Sequence, residues 1–365
     1  MMVRGISALR IFTLSMLVGY LAILGGCSRS DEPEVHAKLP PGTIVLTGAG
    51  ATFPSVFYNR LFEVYHDSHP KIVIKYAAVG SGDGIRRFIG KNIEEKEKID
   101  FGASDAAMSD AEIASTGDNT LLVPMTGGCV ALAYNLPGFQ GELKLSRRAY
   151  AGIFLGEIQK WNDPLIAQSN PGIKLPDLTI ATVVRQDGSG TTFAFTKNLD
   201  AISDKWRSQF GPATLVDWPG NAMRAKGNEG VAGLIANSEG AVGYVGYEFA
   251  RKLGLKTAAL ENKAGKYVKP SDESCLASLA AADLPENLRA FIPDPKGPDS
   301  YPIVTFSWIL LRKKYSSDTA AALVELFRWC LQEGQRYSTE LGYVEVPASV
   351  AQKAIAALDG IKPES

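Results

Sequence analysis

A chain of 365 residues exceeds what one hydrophobic core comfortably serves, so two domains are the default expectation. Hydrophobic residues at 45% and charged residues at 21% describe an ordinary globular protein. The 38 Lys+Arg against 39 Asp+Glu leave a formal charge of −1, so no basic excess points to nucleic acid.

In chain order, Arg4 and Arg10 precede an apolar and small-residue run over residues 11–24, followed by Gly25-Gly26-Cys27. That is an export signal, and the run is shorter than the roughly 20 apolar residues a membrane span needs. Leu24-Gly25-Gly26-Cys27 resembles a bacterial lipoprotein cleavage box, whose cysteine becomes the lipidated first residue. Residues 1–26 are then a lipoprotein signal peptide, Cys27 carries the lipid, and residues 27–42, charged and proline-containing, form a tether. Of the other cysteines, Cys129, Cys275 and Cys330, an odd count allows one disulfide at most. Cys129 lies in an apolar run and reads as a buried thiol. The histidines, His36, His66 and His69, fall early, and no close Cys/Cys or Cys/His spacing suggests a metal site.

Residues 44–46 read as a short strand. The small-residue turn Thr47-Gly48-Ala49-Gly50-Ala51-Thr52 leads into a helix with Pro54 in its first turn and Phe53, Val56, Phe57, Leu61, Val64 and Tyr65 at helical spacing, which makes Thr52 the cap. Residues 72–78 form a second strand by β-branched alternation, running through Val79-Gly80-Ser81-Gly82-Asp83-Gly84 into a helical segment at 85–89. Residues 100–105 are a short strand ending in small and polar residues. Two strands, 121–123 and 129–135, flank Pro124, and 146–159 is an amphipathic helix ended by Trp161-Asn162-Asp163-Pro164.

The apolar run 180–184 then enters Arg185-Gln186-Asp187-Gly188-Ser189-Gly190-Thr191-Thr192, a third strand end, glycine turn and helix start, with the helix reaching about residue 200. Beyond it, 228–237 is helical, 241–245 a buried strand, 246–253 helical, and 257–260 with 266–268 a hairpin. Residues 293–302, rich in proline, glycine and aspartate, are a surface loop or a crossing between domains. Residues 303–311 are a strand, and 319–331 and 347–358 are the last helices. Strands alternating with helices argue for α/β layers with ligands met at the carboxyl ends of strands. No internal repeat of fixed period is present.

Three strand-to-helix turns thus supply Thr52, Ser81 and the group Ser189, Gly190 and Thr191, while Asp105 and Arg185 end other strands. Unpaired amides at a helix start, hydroxyls beside them and a guanidinium fork attract a tetrahedral anion, and Asp187 stands where it can hold that fork still. Each turn alone is more often an ordinary helix entry, since Ser and Thr are the favoured caps, and Asp105 and Asp187 have caps as their plain reading. None has the lysine directly after the last glycine that a nucleotide-hydrolase phosphate loop needs. Ser189 as a catalytic nucleophile is disfavoured, because its glycines are adjacent rather than two residues away and no histidine follows His69. The five tryptophans read as packing, and residues 94–98 as a mixed-charge solvated segment.

Together, residues 47–54, Gly80-Ser81-Gly82, residues 100–105, residues 187–191 and residues 240–245 resemble the phosphate-binding protein of the high-affinity phosphate ABC transporter, the periplasmic phosphate-binding protein family, over nearly all of the mature chain. The resemblance implies a two-lobed α/β periplasmic binding protein fold of type II, with mixed sheets flanked by helices and hinge strands between the lobes. Lobe I would hold residues 43–123 and 303–365, and lobe II residues 124–302. It implies a monomeric, non-enzymatic receptor, periplasmic and lipid-anchored to a membrane, that binds inorganic phosphate without a cofactor and delivers it to a membrane permease.

Carried over by position, the resemblance assigns phosphate binding to Thr52, Phe53 through its backbone amide, Ser81, Asp105, Arg185, Ser189, Gly190 and Thr191, with Asp187 orienting Arg185. Phosphate keeps a proton near neutral pH that an ionised Asp105 can accept, whereas sulfate would meet it as repulsion. Where the family usually has a small residue after Ser81-Gly82, this chain has Asp83, read as an outward-pointing helix-start residue. A binding protein for another oxyanion and a secreted phosphate-ester hydrolase are the alternative readings.

Overall fold

The apolar runs of the sequence become the strands of one long sheet. The computed structural model describes residues 39–364, apart from 281 and 283, so the signal peptide, Cys27 and most of the tether lie outside the described residues. The strands are β1 (Ile44–Gly50), β2 (Ile72–Ala78), β3 (Phe101–Ser104), β4 (Leu121–Tyr134), β5 (Ala181–Arg185), β6 (Met223–Ala225), β7 (Ala241–Gly246), β8 (Lys256–Thr257) and β9 (Val304–Leu311). Their order across the sheet is β2-β1-β3-β9-β4-β7-β5-β6, with β8 paired to the end of β4.

At one end β1 is parallel to β2, from Ile44↔Ile72 to Gly50↔Ala78, and to β3. At the other, β5 is parallel to both β6 and β7. β9 and β4 run antiparallel in the middle, with β9 against β3 and β4 against β7. The consequence for function is topological: each parallel set delivers its carboxyl ends, and the turns after them, to one place.

The helices that follow those ends are α1 (Ser55–Ser68) after β1, α2 (Ser81–Ile89) after β2, α3 (Gly190–Ile202) after β5 and α4 (Gly227–Ala236) after β6. α5 (Asp272–Ala280), α6 (Ser317–Gln332) and α7 (Ala348–Leu358) complete the long helices used below. No helix among the described residues is long and apolar enough to cross a membrane.

Three expectations are corrected. The segments on either side of Pro124 are one strand, not two: β4 runs through the proline, which pairs with Trp308 beside a register shift between Ser307 and Trp308. A bulge disturbs the ladder at the residue that has no N–H to give it, so the strand absorbs the proline without ending. Thr52 does not cap α1, whose cap position is Pro54; its hydroxyl oxygen is taken by a residue far along the chain. Cys129 is not a free thiol. Helix α5 packs on β4 and brings Cys275 to a Cα–Cα distance of 5.4 Å, and the two form a disulfide. An apolar run buries a thiol and a half-cystine alike, which is why the sequence could not separate them. The bridge closes a loop of 146 residues, worth roughly 2–4 kcal/mol by restriction of the unfolded chain. Cys330, in α6, is the buried free thiol.

Helix 146–159 is also shorter than its periodicity suggested, Arg147–Phe154, because Gly156 turns the chain with φ +74°. The tryptophans pack as expected: Trp161, Trp206 and Trp308 are fully buried and Trp218 nearly so. Two aromatic groups support the central region. Phe53, Phe57, Tyr58 and Tyr343 lie under the β1 turn, and Phe154, Phe195, Trp218 and Tyr244 under the β5 turn.

Candidate functional site

The turns after β1, β2 and β3 form one wall of a cleft, and those after β5 and β6 the other; at the middle the walls touch. Gly82 N donates to Gly188 O at 2.9 Å across the gap. A Cβ on Gly190 would lie 2.6 Å from the Asp105 Cβ and 2.6 Å from Ser81 Oγ, so only glycine allows this approach. Gly80, with φ +102°, is equally constrained, since its Cβ would stand 2.4 Å from Asp187 Oδ2. Beside the contact opens a cavity of ≈ 700 Å³ lined by Thr52, Asp83, Arg87, Asp187, Lys226 and Glu229 among others.

Every residue that sequence reasoning assigned to the site is brought here, and nearly all are buried. Thr52, Phe53, Ser81, Asp105, Arg185, Ser189 and Thr191 are each less than one-tenth exposed. Ser189 caps α3, accepting from Thr192 N at 3.0 Å, and Ser81 is the first residue of α2, whose helix begins earlier than the apolar pattern implied. Both positions put first-turn amides of a helix beside the cleft.

Asp105 follows β3 with its side chain in the contact zone. Ser307 Oγ donates to its Oδ1 at 2.8 Å, and Tyr58 Oη donates in turn to Ser307 Oγ at 3.4 Å. Asp105 N donates to Ser81 Oγ at 3.1 Å, and that hydroxyl stands 3.5 Å from Oδ2. Burial pushes the carboxyl up to about 7, because the hydroxyls of Ser307 and Ser81 and the more distant charge of Arg185 only partly offset the lost hydration. Asp105 caps no helix.

Arg185 ends β5, with its fork turned onto Asp187: Nε donates to Oδ1 at 2.8 Å and Nη2 to Oδ2. Gly227 N donates to the same Oδ1 at 3.0 Å. Burial alone would raise the Asp187 carboxyl, but the guanidinium and this amide outweigh it and hold the group below the usual carboxylate range. Arg185 N donates to Tyr244 Oη at 3.1 Å, and that hydroxyl also pairs with Thr192 Oγ1 at 2.8 Å, so the aromatic layer beneath fixes the start of the turn.

Asp83 is tied to its own helix. Arg86 Nε donates to its Oδ1 and Arg87 Nε to its Oδ2, each at 2.8 Å, although the residue also borders the cavity. Glu97 joins this network through Arg86, which makes the 94–98 segment less free than its composition implied.

Sequence reasoning missed three residues. Asn228, second residue of α4, donates from Nδ2 to Thr52 Oγ1 at 3.0 Å and to Thr191 Oγ1 at 3.1 Å, bridging the walls. Its only local signal was an amide just after Lys226-Gly227, where a helix begins. Ser307 was visible as one of two hydroxyls, with Thr305, inside an otherwise apolar strand. Glu248, in the short helix Tyr247–Lys252, is 5% exposed with no partner for either carboxylate oxygen among the described residues. Burial holds it well above the usual carboxylate range; Tyr343 lies beside it but donates its one hydrogen to Phe53 O at 2.7 Å. No sequence pattern marks Glu248.

Residues 37–329 match the PBP superfamily domain, so this two-walled α/β fold belongs to that superfamily. The phosphate-binding protein PstS of Pasteurella multocida is 39% identical over 312 residues, 84% of this chain and 88% of its own. That of Methanocaldococcus jannaschii is 36% identical over 377 residues, 96% of this chain and 95% of its own. The chain belongs to the PstS family of phosphate-binding proteins. Among solved structures, the high-affinity periplasmic phosphate-binding protein PfluDING, bound with phosphate, superposes with a TM-score of 0.72 at 21% identity, covering 86% of this chain and 93% of that one. A phosphate-binding protein from Stenotrophomonas maltophilia does so at 0.68 and 18%, covering 86% and 94%. At these identities the superpositions speak for the fold.

Proposed function

We propose that the chain captures inorganic phosphate in the periplasm, performs no reaction on it, and hands it to the permease of a phosphate ABC transporter. One observation carries the reading: hydroxyls, helix-start amides, one guanidinium and one carboxyl, nearly all buried, stand together where the two walls touch. The names of the relatives agree with that ligand. Donors from Thr52, Phe53 and Ser81 on one wall and Arg185, Ser189, Gly190 and Thr191 on the other surround the oxygens, while Asp105 faces the phosphate hydroxyl.

Selectivity follows from a single proton. With a carboxyl near 7 and phosphate carrying a proton of its own, at least one hydrogen is available to lie between Asp105 and the ligand. Sulfate brings none, so Asp105 must keep its own proton or meet the dianion charged.

The walls are proposed as two lobes, residues 43–123 with 303–365 and residues 124–302, hinged on β4 and β9. Support comes from the sheet: β4 pairs with β9 along its first part and with β7 along its second. Ligand contacts from both lobes would favour the closed form, which the permease recognises. A lipid on Cys27 would hold this monomeric receptor at a membrane, in line with the Leu24-Gly25-Gly26-Cys27 sequence.

Calorimetric titration with phosphate, arsenate and sulfate tests the proposal. Phosphate and arsenate should bind one to one, and sulfate roughly 100-fold more weakly, the cost of a buried charge lacking its partner. No heat with phosphate, or equal binding of sulfate, would overturn it.

A further inference from the structure

Asn228 contacts both walls, and the chemistry of its four hydrogen bonds has a direction. Gly246 N can only donate, and it lies 2.9 Å from one end of the Asn228 amide, so that end is the carbonyl oxygen. The opposite end is therefore the NH2 group, with one hydrogen for Thr52 Oγ1 and one for Thr191 Oγ1. Asn228 N supplies Thr52 Oγ1 with a second hydrogen at 3.1 Å.

A hydroxyl has two lone pairs and one hydrogen. Both lone pairs of Thr52 Oγ1 are occupied by Asn228, which leaves its hydrogen to be given away. Thr191 Oγ1 accepts one bond from the same NH2 and is biased the same way. Thr52 Oγ1, which by itself donates or accepts with equal ease, is thus committed as a donor, while Thr191 Oγ1 keeps one free lone pair. Thr52 follows β1, on the wall opposite Asn228, so its commitment exists only while the walls touch, whereas the bond to Thr191 lies within Asn228's own wall.

We propose that Asn228 is a positioning residue that orients the Thr52 and Thr191 hydroxyls as donors to the bound anion and latches the two walls together. The inference rests on the phosphate reading. It assigns anion preference partly to a side chain that makes no contact with the ligand, and it couples closure to completion of the donor set.

The test is phosphate titration of the wild type, Asn228→Ala, Asn228→Asp, Thr52→Val and Thr52→Val/Asn228→Ala between pH 5.5 and 8.5, with thermal melts to establish folding. Asn228→Ala releases the hydroxyls without reversing them and should weaken phosphate ~10-fold. Asn228→Asp is nearly isosteric, but its carboxylate accepts where the NH2 donated, so both hydroxyls turn away from the ligand. It should lose ~100-fold or more at pH 8, and much of that should return toward pH 5.5 as the buried carboxyl takes up a proton. In the Thr52→Val background the Asn228→Ala effect should shrink to within ~3-fold.

A loss in Asn228→Asp that ignores pH would make Asn228 a merely structural residue, and wild-type affinity throughout would remove it from the site; either overturns the inference. If Asn228→Ala does not fold, the pH series on Asn228→Asp decides alone. Absence of phosphate binding by the wild type would instead overturn the functional reading itself.

Discussion

The two walls of the cleft carry one aspartate each, Asp105 fully buried and Asp187 half-buried, and shift their carboxyls in opposite directions. Asp187 lies against a guanidinium fork and the Gly227 amide, and these keep it charged. Asp105 has the hydroxyls of Ser307 and Ser81 for immediate partners, and burial prevails, raising it to about 7. The difference teaches how one site can contain a fixed charge and a mobile proton a few side chains apart. Charged partners make Asp187 an anchor that immobilises Arg185; neutral partners leave the proton of Asp105 in play.

The comparison breaks most sharply if the same substitution is made on each wall. The raised Asp105 means that the folded state keeps its proton after the unfolded chain has lost it. Stability is therefore unaffected below the ordinary carboxylate range, falls as pH rises toward 7, and carries the full penalty above. Asp105→Asn removes that penalty, and melts at pH 8 should show a gain of up to about 4 kcal/mol, at roughly 1.4 kcal/mol per pKa unit, with little gain near pH 4. It should also narrow the phosphate-to-sulfate preference. Asp187→Asn should do the reverse, costing about 3 kcal/mol at neutral pH by stranding the buried Arg185 cation; stability equal to wild type would mean the pair is no anchor.

Arg185→Ala comes next. Loss of charge-assisted bonds to the anion should weaken phosphate roughly 100-fold by calorimetry, and an unaltered affinity would take Arg185 out of the site. A smaller effect sharpens the role of the Asp105 proton. Above pH 7 the preference for phosphate over sulfate should grow about tenfold per pH unit, because sulfate must bind the protonated form, and it should level off below. A flat profile would place the selectivity elsewhere. Smallest in its consequence for binding is Glu248→Gln. This buried acid has no hydrogen-bond partner among the described residues, so its removal should leave phosphate affinity unchanged while raising the melting temperature more at pH 8 than at pH 5. Changed affinity would connect Glu248 to the cleft.

Much of this was legible in advance. Strands such as 72–78, 241–245 and 303–311 stood out because a buried strand must be apolar or β-branched along its length. The glycine turns at 80–82 and 188–190 stood out because close backbone approach excludes a Cβ. Boundaries were less legible where tertiary contacts overrode local signals. Pro124 looked like a break, yet β4 takes a bulge at Met125 beside it; Thr52 looked like a cap, yet Asn228 claims its oxygen.

By itself, then, the sequence determined the class of fold, the kinship to phosphate receptors, and the strand ends where Thr52, Ser81, Asp105, Arg185 and Ser189 stand. These depend on periodicity, backbone freedom and residue type, which are local. The Cys129–Cys275 bridge, the partners that set Asp105 and Asp187 apart, and the Asn228 clasp were decided only by the tertiary structure. Each joins residues tens to hundreds of positions apart, and a lone asparagine, serine or cysteine carries no mark of the neighbour that the folded chain will bring to it.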